Sequence, residues 1–381
     1  MARGQAPGYS RIPVLYCLPV RRLAALALLA ALAVVPAARA DLRLGVQDDA
    51  WLSSPDPLAW QLAGDLAPRV IRYNIDWSSV APTPPLDPNS PEDPAYDWHA
   101  PDGVVRRAAA LGATVLVTIV QAPMWANSGR AARFAPDDPR VFGAFCKAVA
   151  HRYSGLGELP AVGEYTVWNE PNRGAYLQPQ GRLGRTAPRL LARLAAACIP
   201  AIRSENPSAR IAIGPLASRG AQQGLAPLAF LRQYALAGGP RFDALALNPY
   251  TEGARPLYRA QAALPKGAID VRNLDRLEVY LRSQYGGTVP LWLTEYAWRT
   301  GGPGGVSADD QARFADQTVQ LVRGRYPYAQ MLIWYLLRDV SPTSYWQSGL
   351  VDSANQLKPA FAVWQRLALA GAGLPVGTAR R

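Results

Sequence analysis

Eight short apolar runs, rich in β-branched and aromatic residues, punctuate this chain: Leu42–Gln47, Val70–Trp77, Thr114–Val120, Tyr165–Trp168, Ile211–Pro215, Ala244–Tyr250, Leu291–Trp298 and Met331–Leu337. Between them lie longer stretches with helical spacing, among them 101–111, 139–153, 187–204, 225–237, 274–285 and 308–323. Strands that read as continuous apolar runs suit a parallel sheet buried on both faces. Repeated strand–helix units in one chain of this length fit a closed barrel better than an open doubly wound sheet, which would carry a glycine fingerprint after its first strand. None follows Val46. No serine- or proline-rich linker divides the chain, since the densest proline stretch, 81–94, follows the second run and reads as a loop on the barrel's catalytic face. The predicted class is α/β, a single (β/α)8 barrel over residues 41–375.

The ends read differently. Arg3, Arg11, Arg21 and Arg22 precede an uncharged run, Leu23–Val35, then Pro36 and the small-residue pattern Ala38-Arg39-Ala40. This predicts a secretory signal peptide over 1–40, cleaved before Asp41. The run falls short of the roughly twenty residues that span a bilayer, so export is expected over anchoring. Arg21-Arg22 leaves the choice between general and twin-arginine export open. Residues 376–381 read as a short tail. The leader carries five arginines and no acid, so its removal lowers the formal charge from +12 to +7. The remaining arginines are scattered through helical stretches without interleaved aromatics, which argues against a nucleic-acid binder.

Cys146 and Cys198 sit in no metal-ligand spacing, and the only histidines are His99 and His151, so a transition-metal site has little to draw on. The two cysteines fall in helices expected to be neighbours; one disulfide and two buried thiols both remain open.

Function is read from strand ends. The fourth run closes as "YTVWNEPN", which places Asn169 and Glu170 at its carboxyl end, and the seventh, "PLWLTEYAW", places Glu295 likewise. Barrel enzymes gather their catalytic groups on this rim. Two carboxylates across one mouth are what glycoside hydrolysis requires: one protonated, to hand its proton to the leaving oxygen, the other charged, to attack the sugar or activate water. Trp168 beside Glu170 offers an apolar wall that favours the protonated form. Arg72, in "IRYNIDW", and Tyr250, closing "ALNPY", are candidate partners for Glu295; Arg72 alternatively serves as a structural ion-pair residue. Trp125, Trp298 and Trp334 are read as cleft residues offering faces to sugar rings, whereas Trp51, Trp77 and Trp346 fit the core equally well. Asp48 and Asp49 are candidates for sugar hydroxyls, and Asp76 is read as structural. The glycine-rich stretch "TGGPGGVSADD" lacks the Lys-Ser/Thr ending of a phosphate loop and reads as a loop closed by an N-cap at Ser307.

With these residues in place, the chain resembles retaining glycoside hydrolases of clan A, in the forms seen in family 39 and its cellulase-like, family 5-type relatives. "VWNEPN" and "LWLTEYAW" carry the resemblance, and "IRYNIDWSSVAP", "APMWA", "IGPLAS", "LNPY" and "IWYLLRD" extend it over most of residues 41–375. The resemblance implies Glu170 as general acid/base, Glu295 as nucleophile, Asn169 as the amide on the sugar 2-hydroxyl, Tyr250 and Arg72 as partners of Glu295, and Trp334 as the aromatic floor, often with a cis bond to the next residue. A retaining mechanism implies carboxyl groups roughly 5 to 5.5 Å apart. It further implies a carbohydrate substrate and no cofactor; together with the leader and the scattered charge, the expectation is a secreted monomer with no nucleic-acid partner and no stable membrane association. The exo-acting β-xylosidases of family 39 add a β-sandwich for which this chain leaves no room, so an open cleft is expected. Two rival classes fit the residues less well. A silent carbohydrate-binding barrel would have lost one glutamate, and a phosphate-binding isomerase would need a glycine-built site after strands seven and eight, which "LLRDVSPTSYW" does not provide.

Overall fold

The computed structural model describes residues 1, 2, 4, 41–221, 223–251 and 267–371. The expected cleavage site, nearly all of the leader before it and the tail at 376–381 lie outside the described residues. Eight strands form one closed, parallel barrel in chain order: β1 Arg43–Gln47, β2 Val70–Asp76, β3 Thr114–Val120, β4 Glu164–Val167, β5 Arg210–Ala217, β6 Ala244–Asn248, β7 Leu291–Tyr296 and β8 Ala329–Tyr335. Among the described residues, eight helices of nine residues or more alternate with them: α1 Pro57–Asp65, α2 His99–Ala110, α3 Pro139–Arg152, α4 Thr186–Glu205, α5 Pro227–Leu236, α6 Leu274–Tyr285, α7 Ala308–Arg325 and α8 Pro359–Gly371. No helix among the described residues is long and apolar enough to cross a membrane.

Local chemistry sets several helix starts. Asp56 accepts a hydrogen bond from the Leu58 N–H ahead of Pro57, Asp138 does the same for Arg140 ahead of Pro139, and Ser307 accepts from Asp310, so each supplies an acceptor that the first helical turn lacks. The N-cap expected at Ser307 is therefore present. Asp76 likewise accepts from the Ser78 and Ser79 N–H groups at a one-turn helix after β2, a structural role.

Helices α3 and α4 are joined by a disulfide between Cys146 and Cys198, whose Cα atoms lie 5.4 Å apart. Gly143, one turn earlier, permits this approach: a Cβ there would sit 2.9 Å from the Ala197 carbonyl oxygen. Of the two readings left open for these cysteines, the structure has the bridge.

The barrel interior is layered. Val70, Leu116, Ala212, Ala244, Ala246, Trp292, Met331 and Ile333 form an apolar plug. Successive side chains of a strand point to opposite faces, so two residues beyond plug positions stand Arg72, Thr118, Asn248, Thr294 and Tyr335. The first four are fully buried, as are Thr166 and, at 1% exposure, Gln47. A polar layer thus caps the plug at the carboxyl ends of the strands. In β7 the period breaks: Leu293 pairs with Leu332 but Tyr296 pairs with Trp334, so β7 holds one extra residue there. This bulge lets consecutive residues, Thr294 and Glu295, both reach into the mouth.

Candidate active site

Arg72 is the hub of the mouth. Fully buried on β2, it donates from Nη1 to Glu295 Oε1 at 2.5 Å and Gln47 Oε1 at 2.6 Å, from Nη2 to Asn169 Oδ1 at 2.9 Å, and from Nε to Thr118 Oγ1 at 3.0 Å. A buried guanidinium is costly unless paired and fully hydrogen-bonded, and β1, β3, β7 and the turn after β4 each supply an acceptor. Gln47 passes the contact on, donating to Asp49 at 2.9 Å. Burial pushes the Asp49 carboxyl above its ordinary range, against the lowering effect of the Asn74 N–H and Arg72. Glu295 accepts a second hydrogen bond from the Tyr250 hydroxyl at 3.2 Å. Burial, and then the Glu295 charge, raise that phenol well above its usual value, so it stays a donor.

Glu170 meets the mouth from β4 in a different setting. It is 4% exposed, and the chain reaches it through two left-handed backbone positions, Trp168 at φ 70° and Glu170 at φ 40°. Such conformations are uncommon outside glycine; here the Glu170 N–H on the Pro215 carbonyl at 2.7 Å and the Trp168 indole on the Tyr176 carbonyl at 2.9 Å hold the turn. Its carboxyl accepts from Asn248 Nδ2 at 3.0 Å and Arg173 Nη1 at 3.1 Å. Burial lifts its pKa from 4.5 to about 7, the nearby Glu295 charge adds to the rise, and Asn248 and Arg173 oppose it. The two carboxylates share one network: Asn248 holds Glu170 with its amide nitrogen and accepts from the Thr294 hydroxyl at 2.8 Å, next to Glu295.

Above Glu170 opens a cleft of about 570 Å³, walled by Arg173, Arg219, Tyr250, Trp298, Arg299, Tyr345 and Trp346 among others. The structure thus brings together Glu170, Glu295, Asn169, Arg72 and Tyr250. It corrects Trp334, which points away from the mouth: fully buried, it packs on Trp364 of α8 at 5.2 Å between ring centroids and donates to the Ser348 carbonyl at 2.8 Å. The inward residue, one step along the strand, is Tyr335, whose ring meets Trp346 edge-on at 5.9 Å. Its hydroxyl is raised by burial and then by the Glu295 and Asp49 charges. The non-proline cis bond lies correspondingly between Tyr335 and Leu336. Trp298 borders the cleft, yet only 3% of it is exposed, and its ring rests on Phe314 at 4.6 Å. Trp125 is not among the residues lining this cleft: its indole donates to the Ala81 carbonyl and its ring meets Trp77 edge-on at 5.5 Å. Trp51 and Trp77 are core residues, whereas Trp346 is a wall of the cleft. Asp48, 4% exposed, caps a one-turn helix by accepting from the Trp51 N–H.

Sequence reasoning missed Gln47, Asn248, Arg173 and Tyr335. Period-two counting from Ala246 and Ile333 finds Asn248 and Tyr335; nothing local marks Gln47 or Arg173.

No protein-family model matches the chain, and no curated protein does. Solved structures do. A family 39 glycoside hydrolase from Bacteroides cellulosilyticus WH2 is similar at a TM-score of 0.63 and 20% identity, over 87% of this chain and 64% of that one. A monomeric β-xylosidase from Caulobacter crescentus CB15 is similar at 0.62 and 18%, over 86% and 67%. GH5_18 from Streptomyces cattleya, solved in complex with GlcNAc, is similar at 0.63 and 17%, over 90% of this chain and 82% of that one. The chain therefore has the barrel fold of family 39 and family 5 glycoside hydrolases, and spans about two thirds of the length of the first of these.

Proposed function

We propose that this protein is a retaining glycosidase that cleaves β-linked glycosidic bonds of a polysaccharide or oligosaccharide by double displacement. One observation carries the reading: two glutamates from the ends of β4 and β7 share a mouth in opposite electrostatic settings. Glu170, lifted to about 7 by burial, holds a proton at neutral pH to give to the leaving oxygen. Glu295, paired with the Arg72 guanidinium, attacks the anomeric carbon. Glu170, then a carboxylate, takes a proton from water, whose oxygen displaces Glu295 and regenerates both groups.

Neighbouring groups fit their parts. Asn169 turns its carbonyl oxygen to Arg72, which leaves its amide hydrogens for the sugar 2-hydroxyl. Tyr335, rather than Trp334, supplies the aromatic floor beside Trp346. No cofactor enters the scheme. The xylosidase from Caulobacter crescentus is described as monomeric, and we take this chain to act as a monomer too. Export is part of the proposal; the Cys146–Cys198 bridge suits an oxidising compartment.

The test is hydrolysis of a panel of β-linked polysaccharides and aryl glycosides, with the product anomer followed by NMR. Expected are retention of configuration, loss of turnover in Glu295→Gln, and slowing in Glu170→Ala that is greatest for poor leaving groups. Equal loss on good and poor leaving groups would remove Glu170 as the proton donor, and an inverted product would remove Glu295 as nucleophile.

A further inference from the structure

Among the described residues, the charged groups that wall the cleft are Arg173, Arg219, Arg299 and Glu170. Elsewhere in the chain guanidiniums lie on acids, as Arg152 does on Asp102, Arg203 on Asp243 and Arg272 on Asp270. Arg299 does not. Its Nη1 donates to the Gly301 and Tyr345 carbonyls, each at 3.3 Å, and its Nη2 to the Pro303 carbonyl at 3.1 Å. Its guanidinium carbon stands 3.9 Å from the centre of the Tyr345 ring and 5.8 Å from that of Trp346. These contacts fix the group in place without neutralising it, and among the described residues no carboxylate pairs with it. Of an arginine's five N–H donors, one on Nε and one on Nη2 have no acceptor among the described residues. Arg173 does pair with Glu170, but it spends one donor there, and its Nε is buried without a partner among the described residues.

Holding the Arg299 cation in the cleft without a carboxylate among the described residues is unfavourable for the empty protein, and a bound anion relieves it. The aromatic rings of Tyr345 and Trp346 in the same wall offer the apolar face against which a sugar ring packs. We propose that the cleft binds an acidic glycan, its sugars bearing carboxylate or sulfate groups that dock on Arg299 and Arg173. This names the substrate class for the glycosidase reading above and rests on it for turnover, though not for binding.

The experiment uses the whole protein and two readouts. Glu295→Gln is titrated calorimetrically with polymannuronate and hyaluronan oligosaccharides, which carry carboxylates, with chondroitin sulfate, and with neutral mannan, xylan and cellulose oligosaccharides. The active protein is assayed for new reducing ends on the same set. Acidic glycans should bind and be cut in preference to neutral ones, with binding weakened as salt rises. Arg299→Gln should weaken binding of the preferred acidic glycan roughly 10- to 100-fold, the usual size of a hydrogen bond to a charged group, and leave its melting temperature unchanged. Preference between the carboxylate and sulfate arms identifies the anion. Neutral glycans binding as well as acidic ones, or an Arg299→Gln variant indistinguishable from its parent, overturns the proposal while glycosidase activity stands. Acidic glycans bound but no glycan cut leaves the anion subsite and sinks the glycosidase reading; no glycan bound sinks the subsite.

Discussion

Two neighbours of Glu170 pull its titration in opposite directions, so removing each should move it with opposite sign. Burial lifts the carboxyl from 4.5 to about 7, with the Glu295 charge next in size and Arg173 among the groups that lower it. At about 1.4 kcal/mol per pH unit, that rise amounts to roughly 3 kcal/mol in favour of the protonated form. Glu295→Gln keeps the shape and removes the like charge, so Glu170 should titrate lower, by about one pH unit. Arg173→Gln removes an opposite charge whose nitrogen lies 3.1 Å from the carboxyl oxygen. Close opposite charges shift a carboxyl by about one to three units. The Arg173 side chain is 34% exposed, and water screens it, so the low end applies: a rise of about one pH unit. The assay is carbon NMR of protein labelled at the glutamate carboxyl, with the Glu170 signal identified by its absence in Glu170→Gln. No sugar is needed, so the result does not depend on knowing the substrate. Shifts of the same sign in both variants, or a parent that titrates near 4.5, would refute the reasoning.

Stability should follow the same group. A carboxyl whose folded pKa lies above its unfolded value holds its proton more tightly when folded, so stability is lost as pH rises from about 4.5 to about 7. Glu170→Gln should therefore be more stable than the parent at pH 8, by about 2 kcal/mol in urea melts, with the gap closing below about pH 4. Asp48, raised to about 6 by burial, contributes in the same direction. Trp334→Ala should cost about 3 to 5 kcal/mol of stability, since it empties a fully buried site. Tyr335→Ala should instead lower kcat/KM by about tenfold or more with a smaller effect on melting, as expected of a side chain that faces the substrate. Replacing both Cys146 and Cys198 by alanine should lower stability by about 4 kcal/mol, as the bridge closes a loop with a sequence separation of 52. A melting curve unchanged by that double substitution would mean that the bridge does not constrain the chain.

The sequence by itself determined the strand–helix alternation, and with it the closed barrel, because a parallel sheet buried on both faces must be written as separate apolar runs. It also placed Asn169, Glu170 and Glu295 at strand ends, since a carboxylate directly after an apolar run has no other place to go than the rim. Helix α1 went unread because Pro57–Asp65 is too short for its period to show, although Asp56 and Pro57 mark its start. Trp334 was misplaced for a sharper reason. Aromatic character suits both faces of a barrel strand, and only the register, anchored by Met331 and Ile333 inside the plug, shows that Tyr335 faces the mouth and Trp334 the helices. The tertiary structure alone decided which polar groups meet: Gln47 with Arg72, Asn248 with Glu170, Arg173 with the same carboxyl. Such contacts join strands that are distant in sequence, and the bulge that turns Glu295 inward is a property of the pairing between β7 and β8. Fold is legible along one strand at a time, but the electrostatic difference between two glutamates exists only once eight strands have closed around them.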